Sequence, residues 1–88
     1  MKFLLYAVMG YDNMTDAKDN SRGHVHWFNP HNITVVKAYE KDMLVMIEFC
    51  DSYEMWCDIG DWQSVIEKVN IDASRPTDVR IQEVVVMK

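Results

Sequence analysis

The chain has 88 residues, of which 49% are hydrophobic and 26% charged, and its formal net charge is −5. This length and composition predict one globular domain over residues 1–88 with a single modest core, and they exclude a disordered or low-complexity chain. The acidic balance argues against a surface that holds phosphate backbones, so direct nucleic-acid binding is not expected. Two cysteines are too few for a disulfide scaffold and favour the cytoplasm as the location.

The first third of the chain predicts two strands separated by a long loop. Residues 3–9 are apolar at odd and at even positions, which indicates a strand covered on both faces or placed centrally in the sheet. No apolar segment approaches the length of a membrane-spanning helix, so no membrane association is expected. Residues 10–23 are polar and bounded by glycines, and therefore predict a loop. His24–Phe28 predicts a short strand that ends at Asn29 and Pro30, because proline lacks the donor that a continuing strand needs.

Residues 33–59 predict a three-stranded antiparallel meander with strands at 33–39, 43–50 and 54–59. Alternating apolar residues occupy the odd positions of the last two strands. A three-residue connection at 51–53 places all of these odd positions on one face. The odd face is therefore predicted to be the core face, and the even positions form the opposite face.

After Gly60 the apolar spacing changes to that of a helix, since Trp62, Val65, Ile66 and Val69 form one stripe. The pattern predicts a helix over 61–69 with Asp61 as its N-cap and Asn70 at its end. A loop at 70–78 and a last strand at 79–87 follow. The predicted fold class is α+β, with a mainly antiparallel sheet of five or six strands and the helix packed on one face.

The even face of the meander is the predicted partner-binding surface. Between residues 43 and 67 there are six carboxylates and no lysine or arginine. An anionic face can simply be solvated, but methionine and tryptophan at its centre favour an interface, where both types are enriched. The predicted contact residues are Met46, Glu48, Glu54, Trp56 and Asp58.

These features predict a non-enzymatic protein-binding module with no cofactor and no catalytic residues. Assisted by the 10–23 loop, its anionic face would dock on a basic surface of a larger protein, such as a nucleic-acid groove, by imitating phosphates. The chain is short, acidic and rich in methionine, and in these respects it resembles the small inhibitors that bacteriophages make against host enzymes. That resemblance is one of class, implies an inhibitory role, and assigns no function to any residue.

The stretch HVHWFNPH holds all three histidines and suggests an alternative function. His24 and His26 are two residues apart on a predicted strand, so both imidazoles project from one face, as two ligands of a transition metal do. No third ligand is identified, because Cys50 and Cys57 are predicted on opposite faces and His31 follows Pro30. The favoured interpretation places both histidines in solvent and packs Val25 and Trp27 inward. Metal binding by His24 and His26 is the alternative.

A second alternative is a small-molecule-binding or enzymatic domain whose pocket forms between two copies of the chain. A sheet in a chain of this size can pair with a second copy along an exposed edge. A homodimer is therefore possible from the sequence, and with it a cleft that one copy alone would lack.

Overall fold

The structure is a computed structural model, and it describes residues 5–73 and 85–87. Strands and helices alternate irregularly along the chain. Two short 3-10 turns, Pro30–Asn32 and Glu40–Asp42, precede the third and fourth strands. The remaining elements in chain order are β1 (Tyr6–Gly10), α1 (Met14–Asp19), β2 (His24–Phe28), β3 (Ile33–Tyr39), β4 (Leu44–Phe49), β5 (Glu54–Asp58), α2 (Ile59–Ala73) and β6 (Val85–Met87).

The strands form two sheets. β1 and β2 make a two-stranded antiparallel sheet, in which Gly10 lies opposite His24. β5, β4 and β3 make an antiparallel meander, and β6 lies parallel to β3 at its edge. The α+β class, the antiparallel pairing and the single main helix are confirmed. The prediction of one sheet with five or six strands is wrong, because the antiparallel strands divide into groups of two and three.

The two sheets meet at one backbone bridge. Tyr11 N–H donates to the carbonyl of Trp56 at 2.7 Å, and Trp56 N–H donates to the carbonyl of Tyr11 at 2.8 Å. Trp56 belongs to β5, whereas Tyr11 directly follows β1. The end of β1 is therefore held beside the edge strand of the larger sheet, which fixes where residues 11 and 12 lie.

The predicted assignment of the odd positions of β4 and β5 to the core face is confirmed. The connection between these strands lies one residue earlier than the predicted 51–53, since the Phe49 N–H donates to the carbonyl of Tyr53 at 2.9 Å. Met46 lies opposite Trp56, and Glu48 lies opposite Glu54. The odd positions of β4 and β5 are buried, apart from the half-buried Phe49 at the end of β4. Met43 departs from the predicted strand: it has a left-handed backbone, with φ of 57°, just before β4 begins, and it is exposed.

The main helix is longer than the predicted 61–69. It begins at Ile59 because the Asp58 carboxylate accepts the backbone N–H groups of Gly60 at 2.9 Å and of Asp61 at 3.1 Å. Asp58 therefore caps the helix, and the prediction of Asp61 as the cap is wrong. The helix also continues past Asn70. Its predicted apolar stripe is confirmed, with Trp62, Val65 and Val69 buried and Ile66 half-buried.

The prediction of a loop over 10–23 is wrong in its centre, where α1 forms. The Asn13 side chain accepts the Asp16 N–H at 2.8 Å at its start, and Asn20 ends it in the left-handed conformation, with φ of 51°. Ala17 is buried, and Lys18 forms an ion pair with Asp42 at 3.3 Å. A six-residue helix with one buried residue is too short to show apolar periodicity in the sequence.

The core lies between one face of the larger sheet, the helix α2 and the inner face of the β1–β2 sheet. Its buried members are Tyr6, Val8, Phe28, Ile33, Val36, Ala38, Val45, Ile47, Met55, Cys57, Trp62, Val65 and Val69. No helix within residues 5–73 is long and apolar enough to cross a membrane. Residues 3–4 of the first predicted strand, residues 74–78 of the predicted loop and residues 79–84 of the last predicted strand lie outside the described residues.

Candidate functional site: an apolar hairpin face and a histidine cluster

The β1–β2 hairpin faces the core with its even-numbered residues. Phe28 lies opposite Tyr6, and both are 5% exposed. Side chains alternate along a strand, so Val25 and Trp27 point away from the core and are 52% and 68% exposed. The prediction that Val25 and Trp27 pack inward is therefore wrong. His26 shares the inner face with Phe28 and is half-buried, so its predicted solvent position is also wrong, whereas His24 is exposed as predicted.

The outward residues of the two strands, together with the residue before β1, form a continuous surface that we call the apolar hairpin face. Ala7 lies opposite Trp27, and Met9 lies opposite Val25. None of its members carries a polar side-chain group apart from the indole N–H of Trp27. They are Leu5, Ala7, Met9, Val25 and Trp27. Ala7 and Met9 are exposed, so the prediction of a first strand covered on both faces or placed centrally in the sheet is wrong.

The apolar hairpin face borders the helix α2. Two grooves of about 240 Å³ and about 420 Å³ run between β1 and α2, and Ala7, Val65 and Lys68 line both. Leu5 and Trp27 line the smaller groove, and Met9 lines the larger one. The exposed apolar side chains therefore border shallow grooves on the α2 side of the hairpin.

Met46, a predicted contact residue, is 4% exposed. Tyr39 and Trp56 lie on the two strands that flank β4, and their ring centroids are 5.1 Å apart. Both rings lie on the same face of the sheet as Met46, and they contact each other over β4. A partner could not touch the Met46 side chain in this conformation, because neighbouring side chains cover it.

The other predicted contact residues differ in accessibility. Glu54 is exposed, and Glu48, directly opposite it, is half-buried. Trp56 is half-buried against Tyr39. Asp58 is exposed, but its carboxylate already accepts two N–H groups of α2. The accessible part of the predicted anionic face is therefore centred on Glu48 and Glu54, and its binding of a partner stays a prediction.

The predicted histidine pair forms, and it has a third neighbour. The rings of His24 and His26 stack with centroids 4.0 Å apart. One ligand atom from each of Asp12, His24 and His26 lies within 4.8 Å of the others. The sequence does not point to Asp12 as a ligand, because residues 10–23 are predicted as a loop with no position relative to the histidines. The pairing of Gly10 with His24 is the signal that would have placed Asp12 there.

Tyr53 connects the carboxylate of this cluster to a histidine. Its hydroxyl donates to Oδ1 of Asp12 at 2.9 Å and lies 3.5 Å from Nδ1 of His26. The Tyr53 ring also stacks on that of His26, with centroids 5.9 Å apart. Burial, the hydrogen bond to Asp12 and the charges of Asp12 and Asp51 raise the pKa of Tyr53 to about 12. Tyr53 therefore keeps its proton and acts as a donor.

His26 lies deepest in the cluster. Its Nε2 atom is enclosed and has no hydrogen-bond partner among the described residues. Burial and the neighbouring His24 lower the pKa of His26, and Asp12 and the Gly10 backbone oppose that shift. Gly10 makes room for the ring, because a Cβ there would lie 2.6 Å from Cδ2 of His26 and 2.7 Å from Cγ of Met55. The cluster thus depends on a glycine at position 10.

A groove of about 370 Å³ adjoins the cluster within a single copy of the chain. Its size is that of small-molecule sites, which start at about 300 Å³. Cys50 is exposed and borders the groove, whereas Cys57 is buried elsewhere, and both thiols are free, as predicted from their opposite faces. Small-molecule binding stays a prediction. The residues that line the groove are Leu5, His26, Trp27, Phe28, Asn29, Asn32, Phe49, Cys50, Asp51 and Tyr53.

Comparison with known proteins assigns no family to the chain. No protein-family model matches it, and neither a curated protein nor a solved structure does.

Proposed function

We propose that this protein is a non-enzymatic binding module that docks on a larger protein through the apolar hairpin face. The observation that carries the proposal is the exposure of four large apolar side chains on one side of one hairpin. Leu5, Met9, Val25 and Trp27 are between 42% and 68% exposed. Contiguous exposed apolar surface on a small protein is typical of an interaction site.

Trp27 is the expected anchor of the contact. It is the most exposed of these four side chains, at 68%, and it lies opposite Ala7, the smallest side chain on the face. Tryptophan buries a large area on binding and is enriched among residues that dominate interface energies. The smaller groove, which Trp27 lines, gives a partner side chain a place to insert next to this anchor.

The proposed partner is a protein with a basic rim around an apolar patch. The chain carries fourteen acidic and nine basic residues, so its net charge favours a basic partner, whereas the larger groove itself is lined by one exposed acid, Asp61, and one exposed base, Lys68. A negative protein associates faster with a positive surface, and added salt slows that association. Where the basic surface normally holds nucleic acid, occupation by this protein would inhibit the partner.

The test compares three tagged variants as baits in a cell lysate at low and at high salt, with captured proteins identified by mass spectrometry. Trp27→Ser removes the proposed anchor. Met43→Ser is the matched control, because Met43 is 60% exposed and lies outside the apolar hairpin face. Glu54→Lys probes the predicted anionic face. We expect one stoichiometric partner that Met43→Ser and Glu54→Lys retain and Trp27→Ser loses.

Three other results would count against the proposal. Capture that survives Trp27→Ser but fails with Glu54→Lys would move the contact to the anionic face. Capture that survives both changes would exclude both surfaces. A wild-type chain that dimerises in sedimentation velocity, with Trp27→Ser monomeric and no captured partner, would make the apolar hairpin face an interface between copies of this chain.

A further inference from the structure

We propose that Asp12, His24 and His26 form a binding site for one divalent transition-metal ion of the zinc type. The site uses the inner side of the β1–β2 hairpin, whereas the apolar hairpin face is the outer side. The two proposals therefore rest on different residues, and each can fail without the other.

The first argument is the number and arrangement of ligand atoms. Two imidazole nitrogens and a carboxylate oxygen lie within 4.8 Å of one another. Zinc binds such atoms at about 2.0–2.2 Å, so the ligand atoms of one ion lie about 3–4 Å apart. Closing the cluster by about 1–2 Å would complete the site. Asp12 and His24 are exposed, so their side chains can make this adjustment without disturbing the core.

The second argument is that these atoms are close without being bonded to each other. The two imidazole rings stack, and neither donates a hydrogen bond to the other. In the described part of the chain, the side chains that form an ion pair are Lys18 and Asp42. Asp12 therefore forms no ion pair with His24 or His26 there. The Tyr53 hydroxyl bridges Asp12 and Nδ1 of His26. Within residues 5–73 and 85–87, the enclosed Nε2, the other ring nitrogen of His26, has no hydrogen-bond partner.

The third argument is that neighbouring groups hold the ligands in place. The Tyr53 hydroxyl donates to one carboxylate oxygen of Asp12, which orients the other oxygen. Hydrogen bonds of this kind to metal-binding side chains usually strengthen metal affinity by about 10–100-fold. The bridge between Tyr11 and Trp56 fixes the backbone next to Asp12. Gly10 gives the His26 ring its space.

The ligand types select the class of ion. Imidazole suits zinc, copper, iron and nickel, whereas calcium and magnesium prefer oxygen ligands throughout. Two imidazoles and one carboxylate therefore favour a zinc-type ion. Three protein ligands leave at least one coordination position for water or for a group of another molecule.

The test is isothermal titration calorimetry of the untagged full chain with ZnCl₂, with Co²⁺ absorption as a second readout of nitrogen and oxygen ligation. We expect one ion per chain. His24→Ala and Asp12→Asn should each weaken Zn²⁺ binding by about tenfold or more, and Tyr53→Phe by about tenfold. His31→Ala is the matched control, because His31 is exposed and lies outside the cluster, and it should bind as the wild type does.

His26 is half-buried, so its replacement could unfold the chain. The test therefore uses His24→Ala and Asp12→Asn, which change exposed side chains. Circular dichroism checks that these variants are folded. Absence of Zn²⁺ binding by the folded wild type would overturn the proposal. Equal Zn²⁺ affinity in the wild type and in the Asp12→Asn, His24→Ala double variant would also overturn it. A loss of Zn²⁺ affinity in His31→Ala as large as that in His24→Ala would overturn it as well. Because Trp27→Ser leaves the ligands in place, it should bind Zn²⁺ normally whether or not it captures a partner.

Discussion

Asp58 holds the start of α2 through two backbone hydrogen bonds, to Gly60 at 2.9 Å and to Asp61 at 3.1 Å. We expect Asp58→Ala to lower the free energy of unfolding by about 1 kcal/mol, because it leaves both N–H groups without this acceptor. Urea unfolding followed by circular dichroism measures the change. Asp58→Asn should retain most of the stability, since asparagine caps helices as well as aspartate does. An unchanged urea midpoint in Asp58→Ala would show that the cap contributes nothing.

The two cysteines differ in burial and should differ in reactivity. Cys57 is 0% exposed, and its burial, with the charges of Asp61 and Asp58, raises the pKa of its thiol well above the usual range. Cys50 is exposed. Because the thiolate is the reactive form, a disulfide reagent should modify one thiol per native chain quickly and the second only after urea unfolding. Cys50→Ser should abolish the fast phase. Two fast thiols in the native wild type would contradict the burial of Cys57.

Among the elements, the meander was the most predictable part of the fold. Its strands follow one another along the chain, and the short connection at 51–53 fixes which residues share a face. The shared face of the odd positions follows from that local pattern. The observed pairing, with Met46 opposite Trp56 and Glu48 opposite Glu54, is shifted by two residues from the one that a connection at 51–53 implies. The burial of Met46 on the even face did not follow, because the contact between the Tyr39 and Trp56 rings on that face is not encoded in the alternation of residues.

The hairpin β1–β2 was the least predictable element. Val25 and Trp27 look like core residues by type, and the choice of face depends on the pairing of Phe28 with Tyr6, which are far apart in sequence. Because side chains alternate along a strand, a shift of the pairing by one residue turns every inward-facing side chain outward and every outward-facing one inward. The same missed pairing explains the missed ligand, since Asp12 comes near His24 only once Gly10 lies opposite it.

At the scale of the whole molecule, the hairpin has two faces that suit different tasks. Its outer face is apolar and exposed, whereas its inner face contributes Tyr6, Val8 and Phe28 to the core and carries the histidine cluster at the end near Gly10. The hairpin is joined to the larger sheet by the bridge between Tyr11 and Trp56. A partner bound outside and an ion bound inside would therefore act on the same small element.

The hairpin is also tied to the far part of the chain by a hydrogen bond. The hydroxyl of Tyr6, which is 5% exposed, donates to Oδ2 of Asp72 at 2.5 Å and connects β1 to the last turns of α2. Tyr6→Phe removes this bond between segments 66 residues apart. A hydrogen bond to a charged acceptor contributes roughly 1.5–3 kcal/mol, so the variant should be less stable than the wild type by about that amount at pH 8.

The difference between the wild type and Tyr6→Phe should depend on pH. Burial, together with the hydrogen bond to Asp72 and its charge, raises the pKa of Tyr6 to about 12, above the value of about 10 expected in the unfolded chain. A group whose pKa is raised by folding stabilises the protein fully below the unfolded pKa and loses that contribution as the pH rises through the folded pKa. The stability gap should thus be constant up to about pH 9 and shrink between about pH 10 and pH 12. Urea midpoints of both proteins across that range measure it, and other groups that titrate there, Tyr53 included, cancel in the difference. A gap that stays constant to pH 12 would show that Tyr6 titrates alike in the folded and unfolded chains.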